Sequence, residues 1–279
     1  MAGAQPVTER PGGRLVRRLR PLGSIAAALA MALLLPMAQP PLRPWAQAPA
    51  AATAGGGSIR EGLSGADPLQ FSAAELEELE RRFGVHGPQT RLAQLFSQGI
   101  DQFQPLRNHA LNRLEELRPL ILSQSARRRV NPLLVTAVLF DEMRHAKPGE
   151  NHPIAAHSGL FSTHGLAQLG IGEMVHQGML PSQPSPAQVS WARDQLLDPH
   201  QNVALLVGKF ARLKRALDLP SDRMLVASGN PRDAKALATL AYLHNGKLDY
   251  PRRILASMQD PELHALIYGQ RKPLLSPLI

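Results

Sequence analysis

Apolar positions recur at helical spacing through most of the chain beyond residue 70, and no stretch alternates apolar and polar residues long enough to read as a strand. The strongest pattern lies between residues 131 and 145. Leu134, Val138 and Glu142 follow one another at i, i+4 and i+8, flanked by Val135 and Leu139, so they share a helix face. Asn131 is suited to the N-cap, where its side-chain oxygen accepts from a free first-turn N–H, and Pro132 suits N1. A helix over Pro132–His145 is expected. Upstream, Ser72-Ala73-Ala74-Glu75 has the spacing of a capping box and predicts a helix to about Phe83, ended by Gly84 to Gly87. A longer helical region is expected from Gln89 to Arg128, broken near Pro105 and kinked at Pro119, with Leu111, Leu114, Leu117 and Ile121 on its apolar face. Downstream, helices are expected over Gly165–Met179, from Pro199 with Asp198 as cap, over Asp233–Asn245 with Gly246 as terminator, and over Arg252–Met258 and Pro261–Tyr268. Val203, Leu206, Phe210, Leu213 and Leu217 give the Pro199 helix its buried face. The fold class that follows is all-α.

The first 70 residues read differently. Arg10, Arg14, Arg17, Arg18 and Arg20 precede an apolar run from Ser24 to Leu35, and small residues follow, with Ala48-Pro49-Ala50 or Ala38 as cleavage points. The run is shorter than the ~20 residues of a spanning helix. Residues 1–50 therefore read as an export signal or, uncleaved, as an N-terminal membrane anchor, and the expected location is the periplasm. Pro36 to Pro68 is rich in Pro, Ala and Gly, so residues 51–70 read as a flexible linker. This segment also accounts for most of the basicity. The chain is formally +9, but six Arg and one Glu within residues 1–50 carry +5 of it, leaving 25 basic and 21 acidic residues elsewhere. A nucleic-acid partner loses its support accordingly. The chain has no Cys, which excludes disulfides, thiolate metal sites and a Cys nucleophile.

Candidate chemistry concentrates where the strongest helix ends. Glu142 continues a stripe that otherwise reads as core, and desolvation there raises a carboxyl pKa towards the range of a general acid. The competing reading places Glu142 at a solvated rim, paired with Arg144 or Lys147. Asp141 is adjacent but points roughly 100° away on a helix, which makes it a poor second carboxylate. His145, His152, His157 and His164 crowd the following segment beside Glu150, a composition that suits zinc, although no H-E-x-x-H spacing is present. Arg127-Arg128-Arg129 reads as a solvated helix end complementing the dipole, in preference to a polyanion site.

Four short motifs in order resemble the catalytic region of lytic transglycosylases with a lysozyme-like fold. Asn131-Pro132 opens a helix carrying Glu142 in its last turns. Gly165-Leu166-Ala167-Gln168 is similar to the family's Gly-Leu-x-Gln turn. Leu197-Asp198-Pro199 with Asn202 resembles its Asp-Pro helix start, and Tyr242 to Gly246 with Tyr250 resembles its Tyr-Asn-Ala-Gly segment. The resemblance spans about Arg129 to Leu255. It implies a lysozyme-like helical domain over residues 129–270, preceded by a helical extension over 71–128 and followed by a tail over 271–279. It implies cleavage of peptidoglycan glycan strands without a cofactor. Glu142 would first protonate the glycosidic oxygen and then take a proton from the sugar's C6 hydroxyl, leaving a 1,6-anhydro end. Gly165, Leu166 and Gln168 would hold the sugar, Tyr242 or Tyr250 would orient the carboxylate, and Asn245 would bind nearby. Two alternatives stand beside this: a peptidoglycan-binding or scaffold module on the same fold without turnover, and a His/carboxylate metal-dependent hydrolase.

Overall fold

The computed structural model describes residues 67–84, 103–147 and 149–269. The expected export segment, the spacer before residue 67, the first part of the Gln89–Arg128 region and the tail lie outside these residues. The described chain is mostly helical: α1 (Ala73–Phe83), α2 (Gln104–Arg128), α3 (Pro132–His145), α4 (Pro153–His157), then a hairpin of β1 (Thr163–His164) and β2 (Leu169–Gly170), followed by α5 (Ile171–His176), α6 (Pro186–Leu197), α7 (Pro199–Ala216), α8 (Pro231–Asn245), α9 (Tyr250–Met258) and α10 (Pro261–Tyr268). None of these helices is long and apolar enough to cross a membrane.

Caps fix most of the boundaries. Ser72 and Glu75 bond each other's backbone N–H groups in a full capping box, and Gly84 closes α1 in the left-handed conformation. Asn131 accepts from Leu133 N and Leu134 N and also donates to Leu225 O, so one side chain starts α3 and ties it to a distant loop. Asp198 caps α7 through Gln201 N, and Gly246 closes α8. α2 continues through Pro119 and ends at Arg129, whose left-handed backbone turns the chain into α3.

α3 is the axis of the fold. Every residue from Pro132 to Glu142 is buried, so the helix is enclosed on all sides and not only along the stripe. It is enclosed mainly by α2 and α9, with α10 at its side. Leu114, Leu117 and Ile121 of α2 enter the same core as Leu134, Val138, Leu206, Phe210, Leu237 and Ile254. The described residues all belong to one compact unit, with no boundary near residue 128. The expected 71–128 extension and 129–270 domain both lie in this one unit, and α2 is a wall of its core. α1 joins the same body through α8, where the buried Lys235 ammonium lies 3.7 Å above the Phe71 ring and bonds Gln70 O.

The Gly165–Met179 helix is the clearest correction. Residues 165–168 close the β hairpin, with Thr163 opposite Gly170 and His164 opposite Leu169, and the helix begins only at Ile171. α6, opened by a Ser185–Gln188 capping box, fills residues assigned to no element by their pattern.

Candidate active site

Glu142 sits in the last turn of α3 and is 8% exposed. Its Oε1 accepts a 2.7 Å hydrogen bond from the Tyr250 hydroxyl at the start of α9, and His244 Nε2 of α8 lies 3.4 Å from the same oxygen. Three helices thus converge on one carboxylate, and the rim reading of Glu142 is overturned. Arg144 lies over the Phe140 ring, 4.8 Å from its centroid. The expected direction of the pKa is overturned as well. Burial pushes the Glu142 carboxyl up, but the bond and charge of His244, the Tyr250 hydroxyl and the charge of Arg253 together hold it below the ordinary carboxylate value. His244 is itself lowered, by burial and by the Lys209 charge, and Tyr250 is raised well above its usual range by burial and the Glu142 charge, so it remains a donor. Lys209, pushed down to about 8 by its burial, bonds His244 O at 3.0 Å behind the site.

Asp141 faces elsewhere, as its helical angle requires. It pairs with Arg253 at 3.0 Å, and the His145 ring bonds its carbonyl at 2.8 Å. Arg253 also stacks over Tyr250, 5.3 Å from the ring centroid, and so braces the residue that holds Glu142. Several buried polar atoms here have no hydrogen-bond partner among the described residues: His244 Nδ1, Asn245 Oδ1, and Nε and Nη1 of Arg253. Such groups are rare in interiors, and four such atoms lie on the residues that hold Glu142 or that follow or brace the ones holding it.

Of the two tyrosines, Tyr250 holds the carboxylate. Tyr242 is buried against Phe71, with ring centroids 5.5 Å apart, so it packs α8 on the segment that leads into α1. His244, which reaches Glu142, was not singled out from the sequence. Its signal was the helical spacing of His244 and the turn to Tyr250 after Gly246.

The 165–168 turn is built for shape. Gly165 has φ +76°, and a Cβ there would lie 2.0 Å from Leu196 O and 2.2 Å from Asn202 Nδ2, so only glycine fits. The fully buried Asn202 donates to His164 O and Leu196 O and accepts from Ala167 N, which locks the turn onto α7. Leu166 is half-buried against the core. Gln168 does not present a free amide to a sugar. Its Oε1 accepts from the Thr163 hydroxyl at 2.8 Å, and its Nε2 donates to Glu150 Oε1 at 2.7 Å and to Gly165 O at 3.1 Å.

Gln168 therefore presents Glu150, a second buried carboxylate that composition had suggested only as a metal ligand. Burial is the main cause that pushes Glu150 up to about 7; the Lys147 amide and charge oppose it, and the Glu142 charge adds to it. The four loop histidines disperse. His145 turns to Asp141, His152 caps α4, His157 bonds Asp194, and His164 is buried in the hairpin. Among the described residues no three His, Asp or Glu side chains converge to hold a metal, so the crowding of histidines in sequence does not become a ligand set.

Comparison with known protein families, with curated proteins and with solved structures returns no match.

Proposed function

We propose that this protein cleaves the glycan strands of peptidoglycan by lytic transglycosylation, on a lysozyme-like arrangement of helices, with Glu142 as acid and then base. The observation that carries the reading is the Glu142 carboxylate, buried at the end of the central helix and held by Tyr250 and His244 beside unpartnered polar atoms. The order of the four motifs supports it. In the resting site the carboxyl is held ionised by its donors. A sugar lying over it removes its remaining solvent, and burial acts upward on this pKa, which moves the group towards the protonated form needed at the glycosidic oxygen. The same oxygen then takes the C6 hydroxyl proton as the anhydro ring closes.

Glu150 favours a second reading. Two carboxyls whose surroundings push their pKa values apart are the usual arrangement of an acid and a base. Glu150, near 7, would donate the proton to the leaving oxygen, and the ionised Glu142 would activate water, or attack the sugar carbon to form a glycosyl-enzyme that water then hydrolyses; either route gives a reducing end. Release of dye from labelled, insoluble peptidoglycan tests both readings at once. The expected result is release by the wild type and none by Glu142→Gln. Sedimentation of both proteins with the polymer, without release by either, would leave a binding module instead.

A further inference from the structure

On the α2–α7 side of the molecule a cavity of about 240 Å³ is lined by Arg128, His176, Gln177, Met179, Gly208, Arg212 and Arg215. We propose that it is a binding site for a phosphate-bearing anion. Three arginines from two helices line one small space, and no Asp or Glu is among the residues that line it. Arg212 is anchored in place by Glu173 of α5 through two bonds, at 3.1 and 2.6 Å. Arg128 and Arg215 are exposed and have no ion-pair partner among the described residues. Arg128 and Arg215 bring two positive charges beside the Glu173-paired Arg212, and a dianion that accepts from them reverses the sign of their mutual repulsion.

The floor of the cavity is constructed. Gly208 of α7 has no side chain where a Cβ would lie 2.1 Å from Gln177 Oε1, and Gln177 is fixed across it by bonds to Leu205 O at 2.8 Å and Glu173 Oε1 at 3.0 Å. His176 at the end of α5 is held below its usual pKa by burial and by the Arg212 charge, so near neutrality it is a neutral imidazole able to donate. Arg128 and Arg215 also lie at the C-terminal ends of α2 and α7, where a cation complements the helix dipole. That role accounts for a positive charge at each end but not for their meeting across one cavity with Arg212. The volume lies below the ~300–1,000 Å³ of drug-sized pockets. It suits one phosphate group and its immediate ester, not a sugar chain. Free phosphate and a phospholipid headgroup share this chemistry.

The test is calorimetric titration of the full chain with inorganic phosphate, beside flotation with phosphatidylglycerol vesicles and with phosphatidylcholine vesicles. Saturable phosphate binding is expected, weakened about 10–100-fold in the Arg128→Ala/Arg215→Ala variant, the loss of one to two charge-assisted contacts. Both side chains are exposed, so the double variant is expected to fold, and an unchanged Tm without phosphate checks this. Flotation with phosphatidylglycerol only, abolished in the double variant and competed by phosphate, would assign the phosphate to a lipid. Binding of phosphate alone would assign it to a soluble ligand. No saturable binding of either probe, or equal binding by the double variant, would overturn the proposal.

Discussion

Glu142 and Glu150 stand one short loop apart, are both buried, and are driven in opposite directions. Glu142, at the end of a rigid helix, faces a tyrosine hydroxyl, a histidine and the charge of an arginine, and it is held ionised. Glu150, on the loop that follows, takes a neutral amide from Gln168 and sits in the field of Glu142, and it rises to about 7. Burial acts upward on both. The donors supplied by α8 and α9 decide the sign at Glu142, and their lack decides it at Glu150. A pair of this kind can hold one proton and one charge at neutral pH, which is what hydrolysis of a glycosidic bond by two carboxyls uses and what transglycosylation through Glu142 alone does not need.

The hardest break in the pair is Glu142→Gln. Loss of an acid–base group is expected to lower the rate of glycan cleavage by about 10²–10⁴-fold, read as product released per unit time. Glu150→Gln separates the two readings. Lytic transglycosylation through Glu142 alone predicts a change below about tenfold, whereas a Glu150 acid predicts a loss in the range given for Glu142 and the disappearance of an alkaline limb near pH 7. The same variant has a stability signature. The folded-state pKa of Glu150 lies above its ordinary 4.5, so the native state binds the proton more tightly than the unfolded chain. That stabilisation is complete below pH 4.5 and is lost as pH rises through about 7. Urea denaturation should show the wild type losing more stability than Glu150→Gln over this interval, the variant flattening the slope.

Gly165→Ala tests whether the turn that presents Glu150 depends on the tight approach to α7. Its Cβ would collide with Leu196 O and Asn202 at a positive φ, and a loss of about 2–3 kcal/mol is expected by chemical denaturation. Tyr250→Phe removes a hydrogen bond to a charged group. It should cost about 1.5–3 kcal/mol in stability at neutral pH and move the Glu142 pKa upward, visible by NMR titration of the carboxyl carbon. Tyr242→Phe should have the smallest effect, under about twofold in rate, because Tyr242 packs on Phe71, just before α1.

The elements of this molecule were legible where local chemistry sets them. Ser72, Asn131, Asp198 and Gly246 each fix a helix end through bonds within a few residues, and all four ends lie where the sequence places them. Legibility fell where distant residues decide. The 165–168 turn looked like a helix start because its glycine and small residues fit either role; Asn202, 35 positions from Ala167, makes it a hairpin. α2 looked like a separate extension because nothing local says which helix covers Leu114 and Ile121. At the site, Glu142 was visible as a carboxylate continuing an apolar stripe. The sign of its pKa was not, because His244 and Tyr250 reach it from helices more than 100 residues away. Gln168 matched a motif, but its bonds to Thr163 and to Glu150, a second carboxylate, could not be read from that motif.

The central claim is that Glu142 cleaves the glycan by acid and then base catalysis. Mass spectrometry of the strand ends released from purified peptidoglycan, by the wild type and by Glu142→Gln, tests it most directly. The account predicts 1,6-anhydro ends with the wild type and none with the variant. Anhydro ends in equal yield from both proteins, or no new ends from the wild type, would contradict it.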